Sequence, residues 1–115
     1  MYGNYFTFEE LTQTNQNLAN NPLTDEHLSN LAALWNTLNL LRHEFGRPIY
    51  INSCYRTPEV NKQVGGAKRS LHMQGRAADI RTRPEYMESL RKFIDERKDE
   101  FSQVIHYETF IHISQ

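Results

Sequence analysis

His72 and Asp79 stand seven positions apart in SLHMQGRAADI, residues 70–80, around one glycine and two alanines. Imidazole and carboxylate are two of the donor types that hold a divalent metal, and a catalytic site asks for a third. Seven positions is not the i, i+4 spacing of an H-E-x-x-H helix, which sets both histidines on one face, so these two side chains need a turn between them. Gly75 supplies the turn, and Ala77 and Ala78 let neighbouring backbone pass close. His72 is therefore expected on a loop and Asp79 in the strand after it, both converging at the end of a sheet.

A third donor should come from a neighbouring strand. FIHIS, residues 110–114, offers His112, whose flanking Ile111 and Ile113 put its side chain on the face opposite theirs. Two imidazoles and a carboxylate suit catalytic zinc, which keeps its fourth position open. The same spacing also fits a core or capping histidine beside a solvated aspartate, and spacing does not separate the two. Cys54, the single cysteine, cannot close a disulfide within the chain, and Cys-rich zinc modules are excluded. It reads as a small buried strand residue.

The elements that must position these groups are legible in outline. Thr7 and Glu10 have capping-box spacing, so a short helix should run to about Gln13, followed by the polar loop TNQNLANNPLT. Thr24 caps the main core helix, which Gly46 stops; Leu28, Leu31, Leu34, Trp35, Leu38, Leu41 and Phe45 recur at helical spacing. Trp35 reads as packing, and His27 and His43 as exposed. In IYINSCY, Ile49, Ile51 and Ser53 alternate with Tyr50, Asn52 and Cys54, a strand that ends at Arg56. Thr57 and Pro58 open a short helix closed by Gly65 and Gly66.

AADIRT is a second strand, and PEYMESLRKFIDERKDEF an amphipathic helix burying Tyr86, Met87, Leu90, Phe93 and Ile94. SQVIHY and FIHIS close the chain as two more strands around Glu108 and Thr109. This order reads as an α+β fold, a small antiparallel sheet packed against helices, in a single domain over residues 1–115.

Composition narrows the function classes. Apolar residues make up 38% and charged ones 23%, with a formal net charge of −1, so the whole chain has no nucleic-acid signature. Lys62, Lys68, Arg69, Arg76, Arg81 and Arg83 do gather near the proposed site. They read as a solvated basic face or as an attractor of an anionic polymer, and they prompt a nuclease reading, which lacks a second carboxylate group suited to magnesium. No secretory leader and no apolar run of membrane-spanning length is apparent. The chain is thus expected to be cytoplasmic as synthesised, without membrane or nucleic-acid partners, and monomeric.

SCYRTPEVN, GG, SLHMQGRAADI and FIHIS, in that order over roughly residues 48 to 115, closely resemble the zinc D-Ala-D-Ala carboxypeptidases and murein endopeptidases, and through them the lysostaphin and hedgehog zinc fold. The resemblance implies one Zn2+ per chain on His72, Asp79 and His112. It implies that Arg56 binds a substrate carboxylate or carbonyl oxygen, and that Ser70 orients a ligand or the loop, or serves as a plain cap. The family's carboxylate base lies three residues before the last histidine, where this chain has Thr109. Glu108, which an unbroken strand would put on the face of His112 together with His106 and Phe110, is the expected base, with His106 as the fallback base or oxyanion donor.

The implied activity is hydrolysis of D-Ala-containing peptidoglycan stem-peptide or cross-link bonds, as a carboxypeptidase or endopeptidase acting on the wall after release. The alternative is a catalytically weak zinc protein that binds wall peptides or a protein partner.

Overall fold

The structure, a computed structural model, describes residues 4–22 and 24–115. Thr7 caps α1 (Phe8–Thr12) through the expected capping box with Glu10. Thr24 accepts the His27 N–H to start α2 (Asp25–Phe45), and the Gly46 N–H bonds Arg42 O to end it. The strands are β1 (Tyr50–Ser53), β2 (Ala77–Arg81), β3 (Gln103–His106) and β4 (Ile111–Ser114), and α3 (Pro58–Gln63) and α4 (Met87–Asp95) lie between them. All neighbours in the sheet, ordered β1-β2-β4-β3, are antiparallel. The α+β expectation is met.

Register gives the sheet two unlike faces, because directly opposed residues in an antiparallel pair point the same way. One row runs Ile51, Ile80, Ile111. With Ala78 and Ile113 it joins Leu31, Leu34, Leu38 and Leu41 of α2 and Leu90 and Ile94 of α4 in one buried cluster. The other row runs Ser53, Asp79, His112, Ile105 across all four strands. Ile51 and Ser53 are two apart and should share a face, but the register slips between them. This bulge turns Ser53 to the Asp79 side and leaves Cys54 fully buried, so the simple alternation expected through IYINSCY is corrected at its end.

Four further expectations change. His72 lies on a 3₁₀ turn (Leu71–Gln74), not an open loop. The segment after Pro84 is divided into a 3₁₀ turn (Pro84–Tyr86), α4 and a second 3₁₀ turn (Lys98–Glu100), with the Arg97 N–H bonding Ile94 O, an i to i−3 bond that ends the α-helix. Leu28 is 44% exposed rather than core, and His27, expected exposed, is half-buried with its ring 5.7 Å from that of Tyr55. Trp35 donates its indole N–H to Phe6 O at 2.7 Å, a packing role.

Candidate metal centre

Ser70 starts the turn that carries His72: its hydroxyl accepts the His72 backbone N–H at 3.2 Å. Gly75 ends it at φ +74, and a Cβ there would lie 2.9 Å from His27 O and 3.0 Å from Leu31 Cγ of α2. Glycine is thus required both by conformation and by the close approach of the core helix. The hydroxyl of Ser70 is both the cap and the group that fixes the histidine's backbone.

Burial sets the chemistry of His72, which is 3% exposed. Its Nδ1 lies 2.6 Å from the Cys54 carbonyl oxygen. A carbonyl only accepts, so Nδ1 carries the proton and Nε2 of the neutral ring keeps its lone pair. That lone pair faces Asp79 Oδ1 at 3.3 Å, and His112 Nδ1 lies 2.9 Å from the same oxygen. Two acceptors facing each other in a buried site need a proton or a cation between them.

Donor atoms of His72, Asp79 and His112 all lie within 4.8 Å of one another, an arrangement that could hold a metal ion. Two imidazoles and one carboxylate suit zinc, so the residues present fit that ion.

Burial is the largest influence on the Asp79 pKa and works to raise it, but when a proton rather than a cation lies between His72 Nε2 and Asp79 Oδ1, hydrogen bonds from His112 and His72, with the charge on those rings, together bring it down to about 2. The carboxylate therefore stays available as an anionic ligand. Cys54 is pushed up to about 12, chiefly by burial, so its thiol is an inert neighbour whose carbonyl orients His72.

Arg56, at 15% side-chain exposure, is held at all three nitrogens: Nε donates to Ser53 Oγ at 3.0 Å, Nη1 to Asn61 Oδ1 at 3.2 Å, and Nη2 to Asp79 Oδ2 at 3.4 Å. Burial pulls its pKa down and Asp79 opposes that pull; a guanidinium stays charged regardless. The cavity beside these groups has a volume of about 700 Å³; residues 64–67 and 69–72, with Gln103, Ile105, Tyr107 and Phe110, contribute to its lining.

The structure brings Arg56, Ser70, His72, Asp79 and His112 together and does not bring Glu108 or His106 to them. β3 pairs with β4 so that His106 opposes Ile111, on the core face. There its Nε2 lies 2.7 Å from Asp95 Oδ1 and its Nδ1 3.2 Å from Arg91. Glu108 is exposed in the link between Tyr107 and Phe110, and its carbonyl accepts from Arg91 at 2.9 Å. The unbroken strand that would have aligned Glu108 with His112 is interrupted by this turn. Among the described residues lining the cavity, Asp79 is the one carboxylate.

Sequence reasoning missed Ser53, hidden by the bulge, and Asn61. It also missed Tyr107, which stacks on Phe110 with ring centroids 4.7 Å apart; its alternation with Gln103 and Ile105 was the available signal. Of the basic cluster, Arg69 lines the cavity, whereas the Arg76 Nε donates to Gln115 O and the Arg81 Nε to Asn52.

Comparison with known proteins bears on the family of the chain. Residues 4–114 match the family described as Peptidase M15. A zinc D-Ala-D-Ala carboxypeptidase from Streptomyces albus G is 35% identical over 78 residues, which cover 65% of this chain and 30% of that protein. The aligned part is thus under a third of that relative's length.

Proposed function

From the premise that the chain belongs to the Peptidase M15 family, we propose that it is a zinc-dependent peptidase of peptidoglycan, cleaving a D-Ala-containing stem-peptide or cross-link bond. The observation that carries this reading is the convergence of His72 Nε2, Asp79 Oδ1 and His112 Nδ1 beside a half-buried arginine. Zinc held by these three residues would supply Lewis acidity to a scissile carbonyl and to the attacking water.

The chain's own groups do the rest. Asp79 would contribute the anionic ligand, while its Oδ2 faces Arg56. A guanidinium has five N–H groups, so the three that Arg56 commits leave two for a substrate carboxylate or carbonyl oxygen. Tyr107, which helps to line the cavity, carries a phenol that would serve as donor to a developing oxyanion.

A second reading, a zinc-bearing wall-peptide or partner-binding protein with weak turnover, is favoured by the cavity's lack of a second carboxylate among the described residues. Elemental mass spectrometry combined with a muropeptide assay separates the two. One zinc per chain with chelator-sensitive release of D-Ala or cleavage of cross-links supports the peptidase. Zinc without cleavage favours the binding protein, and no uptake of zinc sinks both. His72→Ala, Asp79→Ala and His112→Ala should each lose the metal while His43→Ala keeps it. Any of the first three that retains a full equivalent of zinc leaves the ligand set.

A further inference from the structure

We propose that Asn61 and Gly66 form a positioning device that keeps the Arg56 guanidinium turned toward substrate, an inference that rests on the reading of Arg56 as a carboxylate receptor. Asn61, on α3, is 4% exposed. Its Oδ1 accepts from Arg56 Nη1 at 3.2 Å and its Nδ2 donates to Ala67 O at 2.8 Å, while its backbone carbonyl accepts the Gly66 N–H at 2.8 Å. The two side-chain bonds fix the amide's orientation, since a flip would set donor against donor and acceptor against acceptor.

The alternative position for Arg56 is close by. Its Nη2 lies 3.4 Å from Asp79 Oδ2, longer than a relaxed charge-assisted bond of about 2.7–2.9 Å. Without the pull of Asn61 on the opposite nitrogen, the guanidinium is free to close on Asp79 as a fork. It would then spend its remaining donors on the metal ligand instead of on substrate.

Gly66 makes room for the amide. A Cβ on it would lie 2.8 Å from Asn61 Cγ, closer still to Oδ1, and 3.0 Å from Arg56 Nη1. Its φ is outside the positive region, which among the described glycines only Gly46, Gly65 and Gly75 occupy. The demand for glycine at 66 is therefore one of space, and an alanine there displaces Asn61.

The test measures binding of N-acetyl-D-alanine and of its C-terminal amide to zinc-loaded protein by NMR titration, and reports the ratio of the two affinities. Arg56→Ala calibrates the contribution of the guanidinium, expected to be about tenfold in favour of the carboxylate. Asn61→Ala and Gly66→Ala should each remove most of that preference while zinc content stays at one per chain. The double variant should lie close to Asn61→Ala, because the amide, the nearest obstruction to a Cβ at 66, is gone and only the 3.0 Å encounter with Arg56 Nη1 remains.

Should Arg56→Ala abolish the preference while Asn61→Ala and Gly66→Ala leave it intact, the positioning role is wrong and the reading of Arg56 stands. Additive losses in the double variant would also overturn it, since Gly66 would then act without Asn61. If Arg56→Ala changes nothing, the receptor and its positioning device fall together. Gly66→Ala, whose backbone conformation alanine tolerates, keeps the question answerable if Asn61→Ala does not fold.

Discussion

His72 shows how one backbone group decides what a side chain can do. The Cys54 carbonyl accepts the hydrogen bond of Nδ1–H and so aims Nε2 at Asp79. That choice was not legible in SLHMQGRAADI, since the acceptor comes from a residue whose own side chain plays no part. Asp79 leads to a pH prediction for the metal-free protein. Its carboxyl falls from the ordinary 3.8 to about 2 on folding, so the charged form favours the folded state. The stabilisation is complete above the unfolded value and is lost as pH falls through about 2. The stability advantage of wild type over Asp79→Asn should shrink by an amount on the order of 2 kcal/mol between about pH 5 and pH 2 or below, as urea midpoints in the presence of a chelator would record. For Glu108, exposed in its turn, Glu108→Gln should leave hydrolysis within about twofold of wild type, whereas a loss of about a hundredfold or more would restore it as the general base.

At the scale of elements, capping and periodicity carried the reading far. Thr7, Thr24 and Thr57 each cap the helix expected of them, and AADIRT is the strand that brings Asp79 beside His112. What periodicity could not show was where it breaks: the bulge after Ile51 and the turn at Glu108 both change which side chains share a face. The bulge depends on β2, a partner strand distant in the chain, and the turn on how β3 folds back onto β4. The turn ending at Gly75 was legible as a turn, but not the reason it must press against α2. Gly75→Ala should cost about 2–3 kcal/mol, combining a positive φ with the encounter at His27 O and Leu31. Its urea unfolding midpoint, measured with zinc present and absent, should drop in both cases. A change below ~0.5 kcal/mol would mean that the turn relaxes away from α2 without loss.

For the molecule as a whole, the division of one sheet into an apolar and a chemical face explains how so small a chain houses a core and a site together. Ile80 and Asp79 are adjacent in sequence, yet one is packed among leucines and the other faces two histidines. Metal and fold should therefore be linked thermodynamically. With free zinc at about a thousand times its dissociation constant, unfolding should be harder by roughly 4 kcal/mol than with chelator, read from urea curves. Equal stability in both conditions would show that zinc does not prefer the folded chain. The strand order adds a further consequence. Asp79 and His112 lie on β2 and β4, each flanked by a strand on both sides, whereas Ser53 lies on β1 at one edge and Tyr107 just beyond β3 at the other. Edge strands open in small fluctuations while central ones exchange their amide protons only in larger openings. Amide exchange should therefore be slower in β2 and β4, which carry Asp79 and His112, than in β1 and β3, so the outer walls of the site can loosen while its centre keeps its register.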